Sequence, residues 1–158
     1  MKTDNPIKLG VEAALKESKF LRKANIWHRE LEETFLVVDV QKSNYGEQYY
    51  VNLGILVKRL PLVRDRLPPK ENECHVRLRL EALSPDEEER LKRLLDLEDQ
   101  SIGPAERQEH VRALLADVAV PFLLGCGTRK GVAEAHRQGR LNHALVHRVV
   151  RESLFSQG

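Results

Sequence analysis

The spacing of apolar residues changes twice along this chain, and these changes limit the folds that it can form. Apolar residues recur at helical spacing up to about residue 25, alternate with polar residues over 26–80, and then return to helical spacing. A period of two buries one face of a strand, whereas a period near 3.6 buries one stripe of a helix. The order helix, sheet, helices predicts an α+β domain.

Four segments are predicted to be strands of one antiparallel sheet. They are rich in β-branched and aromatic residues and cover 26–30, 35–42, 48–58 and 74–80. Residues 43–47 hold the Asn and Gly of a tight turn, so the second and third segments should form a hairpin. Residues 60–72 contain three prolines, which lack the N–H donor of a ladder, and are predicted to form a surface loop. In the fourth segment, Cys74 should face the core with Val76 and Leu78.

Helices are predicted before and after these strands. The first begins at Asp4 or Asn5, with Pro6 in its first turn, and runs to about Lys23. Residues 84–87 have the sequence of a capping box, in which the Ser84 side chain caps an acidic helix. Later helices are predicted over 104–121, 128–139 and 141–154.

The predicted architecture is a single α+β domain over residues 1–158. An N-terminal helix precedes a four-stranded antiparallel sheet, and about four C-terminal helices pack on one sheet face. A chain of 158 residues can bury one self-sufficient core. The net charge of +2, from 26 basic and 24 acidic residues, is too small to indicate nucleic acid as a partner.

Cysteine content and hydropathy predict the compartment. Cys74 and Cys126 are the only cysteines of the sequence, and a secreted domain would more often show a larger, even set at tight spacing. The N-terminal residues carry charges where a signal peptide is apolar, and no apolar run has the length of a membrane span. We expect a cytoplasmic protein with no membrane partner.

Three segments carry a family resemblance. They read Phe-Leu-Arg-Lys-Ala-Asn-Ile-Trp-His-Arg at 20–29, Val-Asp-Val-Gln-Lys-Ser at 38–43 and Tyr-Val-Asn-Leu-Gly-Ile at 50–55. Through them the chain resembles, over residues 14–154, the bacterial family catalogued as domain of unknown function 4304. Lys19 and Ala24 stand where that family's pattern has glycine. The resemblance implies an α+β fold, and it transfers no catalytic or binding residue because the family name carries no activity.

The strands also predict a polar sheet face opposite the helices. If Val38, Val51 and Val76 point to the core, the alternate positions collect an acid, two amides, a histidine and two arginines. The candidate ligand-binding residues on this face are Asp39, Gln41, Asn52, His75, Arg77 and Arg79, with Tyr50 beside them. Arginine forks match carboxylate and phosphate groups. The alternative is a solvated face on which Asp39 pairs with an arginine across strands.

Three further patterns have a functional and a structural interpretation. His75 and Asp39 are residue types of an acid/base pair, but no nucleophile motif accompanies them. His143 and His147 have the helical spacing of zinc ligands, yet no acid follows at the next turn, so we prefer a packed or exposed pair and predict no metal or cofactor. The glycine-rich stretch 125–131 lacks the Walker pattern and is interpreted as a helix-linking turn rather than an anion site.

Two functions remain open from the sequence. The lack of a catalytic motif favours a non-catalytic binding module that recognises a protein partner, in the manner of small inhibitor or immunity proteins, through the sheet face or the acidic helix. The alternative is a small-ligand binder or enzyme that uses the polar face as a pocket. The alternative requires a cover over that face, for which the 60–72 loop or another subunit is the candidate.

Overall fold

The computed structural model of the chain describes residues 5–61 and 67–155. Within these ranges six strands form one antiparallel sheet, and their order in the sheet is their order in the chain. The strands are β1 (Leu21–Lys23), β2 (Ile26–Glu30), β3 (Thr34–Lys42), β4 (Tyr49–Val57), β5 (Val76–Arg79) and β6 (Leu145–Val146). The helices are α1 (Pro6–Glu17), α2 (Glu88–Leu94), α3 (Pro104–Leu114), α4 (Val120–Gly125), α5 (Arg129–Arg137) and α6 (Arg148–Val150). The predicted α+β class is confirmed.

The main core lies between one face of the sheet and the helices. β3 and β4 pair over their whole length, from Thr34 opposite Val57 to Lys42 opposite Tyr49. The helix-facing side chains of the central strands are buried and pack with α1 and α3: Trp27, Leu36, Val38, Leu53, Ile55, Val76 and Leu78. The sheet has six strands rather than the predicted four, because β1 and β6 have three and two residues and are too short to show a period.

The first helix is shorter than predicted. Asn5 caps it, since its side chain accepts hydrogen bonds from two backbone N–H groups, and the helix ends at Glu17 rather than near Lys23. Lys19 has a φ of 67°, a left-handed conformation that commonly ends helices. The chain then turns into β1, so Phe20 enters the core from a turn and not from a helical stripe.

The capping box predicted at Ser84 is absent from the described structure. Its side chain makes no capping hydrogen bond. Instead, residues Pro85–Glu87 form a 3-10 turn that leads into α2 at Glu88. A proline in the first turn and the acidic residues that follow are suited to a helix start even without the cap.

The helix predicted to end at Pro121 continues to Gly125. A five-residue π segment, Leu115–Ala119, joins α3 to α4. This wider turn accommodates the proline ring, which in a regular α-helix meets the carbonyl four residues earlier. No single helix in the described ranges is long and apolar enough to cross a membrane. The bent pair Pro104–Gly125 and Arg129–Arg137 reaches this length and apolar character only when its two helices are counted together.

The glycine-rich stretch is the predicted turn between two helices. α4 ends at Gly125, and the Thr128 hydroxyl caps α5 by accepting a hydrogen bond from the Gly131 N–H at 2.9 Å. Gly139 follows α5 with a φ of 77°, as expected for a residue that ends a helix. The helix-linking interpretation is therefore confirmed.

The prediction of a helix over 141–154 is wrong for the first half of this range. Leu145 and Val146 form β6 and pair with β5, and only residues 148–155 are helical, as α6 followed by a π segment. His143 and His147 therefore do not share a helix, and His147 instead accepts a hydrogen bond from the Val149 N–H at the start of α6. The described residues contain no group of three or more His, Cys, Asp or Glu side chains placed to hold a metal ion.

Candidate ligand-binding cleft

The sheet face opposite the helices has an apolar half and a polar half. The apolar half is a small buried cluster of Phe35, Val37, Leu56 and Cys74. Cys74 was predicted to face the helices, and this prediction is wrong because the 3-10 turn Glu71–Glu73 breaks the alternation before β5 begins. On the polar half, Asp39, Asn52 and Arg79 stand side by side on three neighbouring strands.

The polar half is the floor of a cleft of about 540 Å³. Its walls come from three segments outside the central strands: the Glu71 turn, the stretch from Glu81 to Glu88, and the C-terminal stretch around His143 and Leu145. The lining residues are Gln41, Asn52, Glu71, Arg77, Leu78, Arg79, Glu81, Ala82, Pro85, Glu88, His143 and Leu145. Part of the predicted 60–72 loop thus borders the face, since it includes Glu71, while residues 62–66 lie outside the described ranges.

Gly54 allows the Glu71 wall to approach the sheet. A Cβ atom at this position would lie 2.8 Å from Cys74 Sγ, 3.1 Å from Cys74 Cβ and 3.4 Å from Glu71 Cγ. The first of these distances is too short for a real contact, so the turn could not rest on the sheet above a larger residue. Gly54 therefore determines where the wall of the cleft stands.

Arg77 and Glu71 neutralise each other within the cleft wall. Arg77 Nε donates to Glu71 Oε2 at 3.1 Å, and Arg77 Nη2 contacts Glu71 Oε1 at 3.4 Å. Burial raises the pKa of Glu71, and the hydrogen bond and charge of Arg77 oppose that rise. Arg77 thus holds the wall in place as well as lining the cleft.

Arg79 is held in place by an aromatic ring instead of an acid. Its guanidinium carbon lies 3.9 Å from the centre of the Tyr50 ring, a cation–π arrangement. No carboxylate in the described part of the chain forms an ion pair with it. Asp39, the partner considered from the sequence, accepts a hydrogen bond from Asn52 instead. The forked donors of Arg79 are available to a ligand.

The two amides on the floor fix each other's orientation. Asn52 Nδ2 donates to Asp39 Oδ2 at 3.2 Å and to Gln41 Oε1 at 2.9 Å, which uses both of its hydrogens. The Gln41 NH2 group is therefore left as a donor. Burial raises the pKa of Asp39, and the Asn52 hydrogen bond opposes that rise.

Glu81 brings an incompletely satisfied carboxyl group to the cleft. Its Oε1 is buried and has no hydrogen-bond partner in the described chain. Burial raises the pKa of Glu81, its own backbone N–H and Arg79 lower it, and the negative charge of Glu88 raises it further. A buried acceptor without a donor destabilises the folded protein, so this group is expected to have another role.

Replacing Glu81 with glutamine is expected to stabilise the protein by about 1 kcal/mol at pH 7, because the amide removes a poorly solvated charge. The folded-state pKa of Glu81 lies above the unfolded value, so its carboxyl group favours the folded state at low pH and loses this effect as the pH rises through the folded pKa. Urea unfolding should therefore show the advantage of Glu81→Gln at pH 7 and none at about pH 4.

The control for this prediction is Glu89→Gln, at an exposed position of α2. It should change the free energy of unfolding by less than about 0.5 kcal/mol. A Glu81→Gln protein that is no more stable than the unchanged protein at pH 7 would contradict the prediction.

His75 lies outside the cleft, contrary to the prediction that it joins the polar face. Its Nδ1 accepts a hydrogen bond from the Val57 N–H at 2.9 Å, and its Nε2 lies 2.8 Å from the Pro61 carbonyl oxygen. These contacts fix a neutral ring with its proton on Nε2. Burial lowers the pKa of His75, the Pro61 hydrogen bond opposes this, and His147 lowers it further. His75 binds backbone groups at the end of β4 and does not face Asp39 as an acid/base partner.

The structure brings together four of the six predicted site residues: Gln41, Asn52, Arg77 and Arg79 line the cleft. Asp39 supports the floor through Asn52, and His75 is elsewhere. The wall residues Glu71, Glu81, Glu88 and His143 were not predicted to belong to this site, although His143 was considered as one of a histidine pair. Turns and the C-terminal segment carry them to the sheet, and local periodicity does not predict such placements.

Comparison with known proteins identifies one family. A family model described as Domain of unknown function (DUF4304) matches residues 11–124. No curated protein and no solved structure matches the chain. The matched range contains the whole floor of the cleft and the walls up to Glu88, and it ends before β6.

Proposed function

Since the chain belongs to the family described as Domain of unknown function (DUF4304), whose description names no activity, we propose a function from the cleft itself. The protein is a non-catalytic binding module, and the cleft binds a small polar ligand. A volume of about 540 Å³ lies within the range of small-molecule sites. Walls on three sides fit a small ligand better than the flat contact that a protein surface would make.

The unpaired guanidinium of Arg79 is the observation that carries this proposal. Arginine side chains in a polar cleft normally pair with acids, yet this one rests on Tyr50 while Glu71 is taken by Arg77. An oriented guanidinium fork loses little freedom on binding a carboxylate or phosphate group. The contact with Tyr50 therefore prepares Arg79 for a ligand.

Binding is a better fit than nucleophilic catalysis for the described residues. The Cys74 thiol is buried in the apolar cluster, and burial raises its pKa, which disfavours the reactive thiolate. Both ring nitrogens of His75 are engaged with backbone groups. Neither residue lines the cleft, so no nucleophile with an adjacent base stands at the proposed site.

A protein partner is the second candidate, and the exposed Leu145 favours it. This side chain lies at the rim of the cleft and is 68% exposed. A protein segment across the rim would bury Leu145, whereas a small ligand on the floor would not. A Leu145→Ser variant should therefore leave small-ligand affinity within about twofold and weaken a protein complex. Replacement of Arg77 would not distinguish the two candidates, because its loss leaves Glu71 buried without its partner.

Replacing Arg79 with glutamine is expected to abolish ligand-induced stabilisation. Thermal unfolding is measured with acetate, succinate, inorganic phosphate, free amino acids, simple amines and neutral sugars. A ligand at about 100 times its Kd adds about 2.7 kcal/mol, or roughly 5 to 11 °C in Tm for a domain of this size. Arg79→Gln should remove this shift, because the ligand loses its forked donor.

The control is Arg112→Gln, since Arg112 lies on α3 and pairs with Glu109 away from the cleft. It should retain the full ligand-induced shift. If no compound of the panel raises Tm, or if Arg79→Gln retains the shift, the small-ligand function is wrong.

A further inference from the structure

The charges that line the cleft do not cancel. Arg77 and Glu71 form a pair of their own. The remaining ionised side chains are Arg79, Glu81 and Glu88, and none of the three makes an ion pair within the described ranges. His143 is the other titratable group of the lining, and it is exposed at the rim. One unpaired cation and two unpaired acids therefore face the same space.

The acidic side of the cleft is suited to an ammonium group. Glu81 Oε1 is buried without a donor, and the charge of Glu88 lies near enough to raise the pKa of Glu81. An ammonium group carries three N–H donors and one positive charge. Placed beside the two acids, it would be attracted to both carboxylates and relieve their mutual repulsion.

The floor of the cleft is suited to a carboxylate. Arg79 presents its fork above Tyr50, and the Gln41 NH2 group is a second donor. Beside them, Asp39 Oδ2 and Gln41 Oε1 already accept hydrogen bonds from Asn52. A group that accepts hydrogen bonds therefore meets donors on the floor, whereas an ammonium group there would meet the positive charge of Arg79.

We propose, on the basis of the ligand-binding function above, that the cleft selects a small zwitterion, with its carboxylate on Arg79 and its ammonium group on Glu81 and Glu88. A simple anion would meet two unpaired acids, and a simple cation would meet Arg79, so each singly charged ligand is disfavoured. The lining also includes the apolar residues Ala82 and Pro85. A free α-amino acid with an aliphatic side chain combines these three features.

The test compares leucine with two compounds that each lack one charge. Isocaproate is leucine without the ammonium group, and isoamylamine is leucine without the carboxylate. Titration calorimetry should show leucine binding at least tenfold tighter than either. Alanine, valine and isoleucine, each compared with its deaminated and decarboxylated counterparts, test how binding depends on the size of the side chain. In NMR spectra the side-chain amide signals of Gln41 and Asn52 should shift on binding, because these groups form the floor.

Two variants test separately which side chain binds each charge of the ligand. Glu81→Gln should weaken amino acid binding at least tenfold and leave isocaproate binding unchanged or tighter. Arg79→Gln should weaken isocaproate and the amino acid alike and leave isoamylamine unchanged or tighter. Amino acid binding that neither substitution weakens, or that does not shift the Gln41 and Asn52 signals, would overturn the proposal.

The outcomes also separate this proposal from the ligand-binding function on which it rests. If a carboxylate without an ammonium group binds as tightly as its amino acid, through Arg79, selection of a zwitterion is wrong and the ligand-binding function stands. If neither the amino acids nor the singly charged and neutral compounds of the thermal panel bind, both are wrong.

Discussion

Replacement of Arg107 by methionine is expected to lower the free energy of unfolding by about 3 kcal/mol or more, because hydrogen bonds from a charged donor contribute about 1.5 to 3 kcal/mol each. Arg107 is 2% exposed. Its guanidinium donates to the carbonyl oxygens of Arg93, at 3.1 Å, and of Leu94 and Asp99. The carbonyls at the end of a helix have no partner within it, and here a buried side chain from α3 supplies that partner at the end of α2.

The loss of stability should extend beyond α2, because the residues after it form hydrogen bonds with the β3–β4 hairpin. The Tyr49 N–H donates to the Leu95 carbonyl at 2.8 Å, and the Leu97 N–H donates to the Glu47 carbonyl at 3.1 Å. Freeing the end of α2 therefore loosens the segment that positions the hairpin. Urea unfolding with a fluorescence or circular dichroism signal measures the change directly.

Two variants make this prediction specific. Arg112→Met removes a half-exposed guanidinium from the same helix, where it pairs with Glu109, and should lower the free energy of unfolding far less than Arg107→Met does. Arg107→Lys retains the charge but loses the planar fork, so it should be at least as harmful as Arg107→Met. If Arg107→Met costs no more than Arg112→Met, Arg107 does not hold the two helices together.

Replacement of Gly54 by alanine is expected to cost about 1 to 3 kcal/mol and to weaken binding in the cleft, because the added methyl group overpacks the contact with the turn above it. The new Cβ would lie 2.8 Å from Cys74 Sγ, so Cys74 must move, and Glu71 moves with it. Displacement of Glu71 separates it from Arg77 and changes the charge of the cleft. Both urea unfolding and ligand titration should detect the substitution.

A compensating substitution distinguishes this contact from a general effect of alanine in a strand. Cys74→Gly removes both atoms that the new Cβ meets most closely. The double variant Gly54→Ala with Cys74→Gly should therefore lose less free energy of unfolding than the two single variants lose together. Gly125→Ala, at the end of α4, is the control for an added methyl group without a close contact, because a Cβ there has no neighbour within 4 Å, and it should not lower the free energy of unfolding. Strict additivity in the double variant would show that the close approach at Gly54 is unimportant.

The long strands could be predicted from the sequence, and the short ones could not. Residues 26–30 were predicted as a strand and form β2 with the same bounds, and β3 and β4 each differ from prediction by about one residue at an end. Their alternation extends over enough residues to identify the buried face. β1 and β6 are held by pairing with a neighbour, and a strand of two or three residues has no period of its own.

The candidate site was predictable only where it lies on these long strands. Gln41 and Asn52 follow the alternation of β3 and β4, and both line the cleft. His75 was assigned by extending the alternation of β5 backwards, but the 3-10 turn before the strand alters the direction of the chain at that point. Glu71 and Glu81 reach the cleft through turns, whose position depends on tertiary packing and not on local periodicity.

The attachment of β6 determines how the cleft opens. β6 is a two-residue strand that joins the sheet only through β5, about 70 positions earlier in the chain, and the His147 N–H donates to the His75 carbonyl beside it. Edge strands with so few backbone hydrogen bonds detach at a small fraction of the free energy of global unfolding. The segment that carries His143 and Leu145 is therefore expected to open locally before the floor unfolds, and such opening would let a bound molecule exchange with solvent.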